Sequence, residues 1–124
     1  MALMDLAIRQ AMHSRCRFRM AAVLVAGSRV LAWSTNLRRN SPVIDFRHAT
    51  FHAEEAVLRR TRHTARAEIY VARVNRAGVP LLARPCPRCQ KALTAAGVIR
   101  AHYTVDPVAT ESMNLLDPTY RTLI

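Results

Sequence analysis

Apolar residues open the chain on one helical stripe: Met4, Ile8 and Met12 recur at every fourth position, with Leu3, Ala7 and Ala11 beside them. That period predicts a helix over 3–14. The next run, FRMAAVLVAGSRVLAWST, is rich in β-formers and broken at Gly27-Ser28, a pair suited to a tight hairpin turn. Antiparallel strands are expected at 18–26 and 29–35. Residues 36–50 are polar, contain Pro42 and keep no period, which predicts a long loop of the kind that often carries function.

Thr50 is placed to cap a helix over 51–62, with Glu54 and Glu55 near its positive end and Arg59 and Arg60 near its negative end. AEIYVARV, 67–74, alternates as a strand does, and Asn75 to Gly78 supply its turn. If Cys86 caps the next helix, Pro87 falls at the first helical position, where it sacrifices no hydrogen bond, and Gly97 ends the helix in a left-handed conformation. VIRAHYTV, 98–105, reads as a strand leaving that helix. The remainder, 106–124, holds two Asp-Pro breaks and is expected to form a short helix or a loosely held tail. The order α-β-β-α-β-α-β points to a mixed sheet covered by helices.

Length and composition narrow this picture. A chain of 124 residues suits one domain with one core. No apolar run approaches the roughly 20 residues of a membrane-spanning helix, and the first residues lack the features of a secretory signal. A soluble, cytoplasmic protein with no membrane partner is expected. The net charge of +11 favours polyanions such as nucleic acid or nucleotide phosphates. Of the 19 basic residues only Lys91 is lysine, and they are spread along the chain without forming a block, so a solvated basic surface is an equal alternative.

Three cysteines cannot all pair within the chain, and a C-x-x-C in an intracellular protein points to metal or redox chemistry. Cys16 reads as a small buried hydrophobe. The pair Cys86 and Cys89 lies in RPCPRCQ, where the first turn of a helix lets positions three apart converge and favours thiolate. His52 in FHAEEAVLRR adds a third zinc ligand. His52 and Glu54 would diverge by about 200° on a regular helix, so they can approach one ion only where a helix begins, and Thr50 as cap puts them there.

His52-Ala53-Glu54 followed by Pro85-Cys86-Pro87-Arg88-Cys89 is the H-x-E with P-C-x-x-C pattern of zinc deaminases. The chain resembles the cytidine deaminase-like superfamily, in the branch with one histidine and two cysteines, over about residues 3–105. The resemblance implies a three-layer α/β fold, a mixed sheet of four to five strands with helices on both faces, and a single deaminase domain over 1–124. It implies Zn²⁺ held by His52, Cys86 and Cys89, with Glu54 as a proton shuttle and not a ligand, and hydrolytic loss of a nucleobase amine. A structural zinc knot or a redox dithiol is the competing reading of the same residues.

By the same resemblance Asn36 contacts the sugar, against an ordinary turn residue on position alone, and backbone groups of Ala53, Pro85 and Cys86 position the base. Phe51 is a candidate pocket wall. Arg38, Arg39 and Arg47 share the loop leading into the site and are the phosphate-binding candidates. His48, in the same loop, is a substrate-contact candidate set against a solvated histidine, while His13, His63 and His102 lack ligand spacing and read as structural.

The expected substrate is cytosine in a nucleoside or nucleotide. The alternative is a deaminase of cytosine or adenine within single-stranded DNA or RNA, which the charge favours and the lack of basic residues clustered with aromatics opposes. An idle zinc domain that binds nucleic acid is a third reading, opposed by the intact Glu54. A homo-oligomer is also left open. Many members of the superfamily carry a fifth strand and a longer C-terminal helix after the position of Val105. Only 19 residues remain here, so the sheet is expected either to be short or to be completed by a partner chain.

Overall fold

The computed structural model describes residues 2–38 and 50–116. Eleven elements follow in the order α1 (Ala2–Ala11), β1 (Arg19–Ala26), β2 (Arg29–Thr35), β3 (Leu37–Arg38), β4 (Thr50–Phe51), α2 (Ala53–Leu58), β5 (Glu68–Val74), β6 (Pro80–Leu81), α3 (Pro87–Ala95), β7 (Arg100–Thr104) and β8 (Thr110–Asn114). The main sheet runs β2-β1-β5-β7-β8, with β6 attached to β5. Its β5–β7 pair is parallel and the others are antiparallel, so the sheet is mixed as expected. The parallel pair arises because α3 lies between its strands and carries the chain back across the sheet.

Helices cover both faces. Of the stripe read from the sequence, Met4, Ala7 and Ala11 of α1 pack on Val23, Val25, Ala72 and Val74, Leu3 and Ile8 are partly buried against them, and Met12, past the end of the helix, is exposed. Ala53 and Val57 of α2 and Leu93 of α3 close the other face over Leu24, Ile69, Val71 and Ala101. Each large aliphatic side chain buried this way contributes roughly 1.5–3 kcal/mol. No helix among the described residues is long and apolar enough to cross a membrane.

Gly27 turns the β1–β2 hairpin with φ +62°, and Gly97 follows α3 with φ +86°, both as the sequence predicts. At Gly97 a Cβ would also come within 3.0 Å of the Ala65 Cα, so backbone conformation and close approach both demand glycine there.

Several boundaries differ from expectation, among them the start of α2 at Ala53 instead of residue 51 and that of β7 at Arg100 instead of 98. α1 ends at Ala11 instead of near residue 14, and Ser14 is buried by its bond to a later strand end. α2 stops at Leu58 instead of 62, because RRTRH offers no apolar side chain to bury after Val57 and Leu58. The largest correction is the tail, where a short helix was expected and the chain forms β8. Met113 and Leu115 are buried at alternate positions, a strand period hidden in a short polar segment. Asp106 accepts bonds from the Val108 and Ala109 amides and so builds the turn that brings β8 back beside β7. The chain itself therefore completes the sheet, and no partner chain is needed for its fifth strand.

Candidate functional site

Two helix starts face each other across the α2–α3 side of the sheet. α2 is capped by His52 and not by Thr50: His52 keeps an extended backbone (φ −64°, ψ 148°) while its carbonyl accepts the first helical bond from the Ala56 amide at 2.9 Å. Thr50 lies two residues earlier, in a short ladder where it pairs with Arg38 and Phe51 pairs with Leu37. The predicted solution to the two-apart problem holds in its physics and shifts in its residue. Because His52 is the cap, it lies outside the helical period, and Glu54 sits in the first turn behind it.

α3 begins as its sequence requires. Cys86 is the cap (φ −70°, ψ 164°), Pro87 opens the helix, and Cys89 falls in the first turn. Gln90 fastens this start from within, its side-chain amide donating to the Pro85 carbonyl at 2.7 Å. Arg88 reaches across to Glu55 at 2.7 Å and ties the two helix starts together at the surface.

The result is a compact group of donors. His52 Nδ1 lies 3.2 Å from Cys89 Sγ and 3.6 Å from Cys86 Sγ, and the ligand atoms of the three residues all lie within 4.8 Å of one another. That span and the N, S, S donor set suit an ion bonded at roughly 2.0–2.3 Å to each. Burial, with Glu54 and Cys86 close by, pushes the Cys89 thiol far above its ordinary range. A cation is the natural partner for a sulfur in such a place, since metal binding removes the proton.

Glu54 is 2% exposed, and its Oε1 has no hydrogen-bond partner among the described residues. Burial lifts its carboxyl to about 7. A carboxyl so placed can gain or lose a proton near neutral pH, and an acceptor left without a partner among the described residues is one that a ligand can satisfy.

A cavity of about 280 Å³ opens onto His52, Glu54 and Cys86. Its other walls are Phe18 and Met20 at the start of β1, Arg73 of β5, and Leu82, Ala83 and Arg84 ahead of α3. None of these six was singled out from the sequence. Leu82 to Arg84 directly precede the Pro-Cys motif, which is a usable signal; Phe18, Met20 and Arg73 are brought there only by strand pairing, Met20 lying opposite Arg73 in the β1–β5 ladder.

The other sequence candidates are placed unevenly. Asn36 is buried, and its Oδ1 accepts from the Ser14 hydroxyl at 2.6 Å and the Met20 amide at 3.1 Å while its Nδ2 donates to the Phe18 carbonyl. It braces the segment that carries two cavity walls and does not itself line the cavity. Ala53 is fully buried in the first turn of α2, and Pro85 is fully buried before Cys86. Arg38 belongs to β3. Arg39, Arg47 and His48 lie outside the described residues. Cys16 is buried as expected, its thiol directed at the Asn36 carbonyl at 3.4 Å.

Comparison with solved structures returns the same fold. A dCMP deaminase from the cyanophage S-TIM5 matches with a TM-score of 0.64 at 22% identity, over 82% of this chain and 79% of that one. A cytidine deaminase from Mycobacterium tuberculosis matches with a TM-score of 0.59 at 24% identity, over 92% and 88%. One from Mycobacterium leprae matches with a TM-score of 0.60 at 20% identity, over 94% and 95%. A comparison with curated proteins finds no match. The sequence model of the cytidine and deoxycytidylate deaminase zinc-binding region matches residues 1–105. That stretch takes in both halves of the site, so the ion fitted by the His-Cys-Cys group is zinc and the chain belongs to the cytidine and deoxycytidylate deaminase family.

Proposed function

We propose that the protein removes the exocyclic amine of cytosine in a nucleoside or nucleotide by hydrolysis, with His52, Cys86 and Cys89 holding zinc and Glu54 moving the protons. One observation carries this reading: Oε1 of Glu54 is buried, with no partner among the described residues, beside three atoms able to hold a metal. Leaving such an acceptor unpaired costs about 1–3 kcal/mol, a cost that a bound ligand would offset. Zinc, when bound, supplies a Lewis acid that makes water a usable nucleophile near neutral pH.

Glu54 does the rest of the acid–base work. With its carboxyl lifted to about 7, it can take a proton from water and pass it to the ring nitrogen, then take the second proton from the hydroxyl added at the ring carbon and deliver it to the leaving amine, without a large mismatch at any step. The cavity of about 280 Å³ is sized for a base, with the sugar and any phosphate left outside. Backbone groups of Ala53, Pro85 and Cys86 at the two helix starts are assigned to orienting that base. Asn36 acts through Phe18 and Met20, as a positioning residue. Arg38, with Arg39 and His48 from outside the described residues, is assigned to the sugar and phosphate side.

The cyanophage enzyme is solved with dCMP and dUMP, a pair that differs by one amine exchanged for oxygen, which supports a cytosine nucleotide as the ligand here. All three cysteines are free, as suits a reducing cytoplasm, and we assign the whole chain to one deaminase unit. The test is ammonia release from cytidine, deoxycytidine, their monophosphates, and adenine and guanine analogues. Turnover confined to cytosine compounds is expected; release from a purine and not from cytosine would overturn the assignment of the base.

A further inference from the structure

Read along the chain, the arginines are scattered. Folded, four of them line one cleft of about 600 Å³: Arg15, Arg17 and Arg19 from the segment entering β1, and Arg76 from the turn after β5. None of the four meets a carboxylate among the described residues. The cleft adjoins the candidate active site through shared chain, because Phe18 stands between Arg17 and Arg19 and is a wall of the Glu54 cavity.

The boundary between the two spaces is itself unusual. Phe18 is 56% exposed, high for a phenylalanine. The Arg73 guanidinium lies 4.9 Å from its ring centroid and that of Arg17 lies 5.8 Å away. Arg73 Nε is buried with no hydrogen-bond partner among the described residues, on the wall of the cavity that holds Glu54. An unpaired buried donor on a cation faces the same problem as Glu54 Oε1, with the opposite sign: it wants an acceptor from outside the chain.

We infer that the cleft of Arg15, Arg17, Arg19 and Arg76 is a track for the phosphates of single-stranded nucleic acid, with Phe18 as a stacking platform at the mouth of the Glu54 cavity, so that the cytosine nucleotide proposed above as substrate can be one carried within a strand. The inference rests on the reading of that cavity as the deaminase site. Four unopposed guanidiniums exceed what one phosphate group needs, and the cleft is several times the room a phosphate takes. A nucleoside triphosphate would match the charge, but it travels with a magnesium ion held by carboxylates, and no acidic residue among the described residues lines the cleft. A basic groove with an exposed aromatic beside it is the arrangement that binds single strands without sequence preference.

The test measures binding to the zinc-loaded protein of a labelled, cytosine-free oligothymidylate of roughly a dozen nucleotides, across a salt series. The double variant Arg15→Gln/Arg76→Gln should bind at least about tenfold more weakly. Its plot of log affinity against log salt should be shallower by about 0.7 for each arginine removed. Arg15→Lys/Arg76→Lys should restore the slope, which a purely structural role would not do; zinc content and melting temperature report that each variant is folded. Equal affinity in wild type and the glutamine variant would overturn the inference, as would displacement of the oligonucleotide by dCTP as effectively as by unlabelled strand. Glu54→Ala should bind the strand as the wild type does. Intact binding with no turnover of any cytosine compound by the wild type would remove the deaminase reading and leave the cleft. Turnover with arginine-independent binding would do the reverse.

Discussion

Two polar clusters sit on opposite faces of the sheet, and they treat their titratable groups differently. On one face His102, on β7, bonds Glu68 of β5 at 2.7 Å through Nε2 and Ser112 of β8 at 2.6 Å through Nδ1, and its ring stacks on Tyr70 at 4.5 Å. Both ring nitrogens are used, and Glu68 has Arg100 as a further neighbour at 4.0 Å. On the other face Glu54 is buried with one oxygen unpaired beside two thiols and an imidazole that crowd together. Residue types alone do not separate these clusters, for each has a histidine and a glutamate. What separates them is satisfaction: the first is a closed row of cross-strand pairs that staples three strands, and the second is open toward a ligand.

The contrast can be broken by mutation. The largest effect is expected from Cys89→Ala, which should lose zinc by metal analysis, abolish turnover and lower the melting temperature, because a buried ligand is removed from a helix start. Glu54→Gln keeps the shape and removes the charge. It should retain zinc while kcat falls by roughly 10²–10⁴-fold, and loss of the metal in this variant would place Glu54 among the ligands. His102→Ala should cost about 0.5–1.5 kcal/mol in denaturant unfolding by removing its cross-strand hydrogen bonds on a part-exposed face, with kcat unchanged; a kcat loss like that of Glu54→Gln would erase the distinction between the two faces. Arg88→Ala tests the surface tie between the helix starts. Its partner Glu55 is 21% exposed and Arg88 44%, so about 0.2–1 kcal/mol of stability is expected.

Much of the site was legible because its chemistry is written in local motifs. The start of α3 is specified by Cys86, Pro87 and Gly97 within a dozen residues, and the structure follows that specification. The start of α2 was less legible. Thr50 is a good cap by propensity, but pairing of Thr50–Phe51 with Leu37–Arg38 draws it into a ladder and passes the cap to His52. β8 was hidden for a similar reason: TESMN has weak strand character, and only the exposed edge of β7 gives Met113 somewhere to go.

Asn36 stands just after β2, near the site, and its side chain braces the Ser14–Met20 segment from inside, bonds that its sequence position alone did not reveal. The arginines show the same limit on a larger scale. Sequence separation made Arg15 and Arg76 look unrelated, whereas the antiparallel pairing of β1 with β5 sets Arg19 beside Val74 and brings the two segments to one cleft.

By itself the sequence determined the helices' apolar stripes, the hairpin and the two halves of the metal site, His52 with Glu54 and Cys86 with Cys89, since each depends on residues close enough in the chain to share a turn or a period. The tertiary structure alone decided the cap at His52, the fifth strand, the walls of the cavity and the gathering of arginines. Those depend on which strands pair and in what register, a choice made by burial of the whole sheet and not by any segment of it.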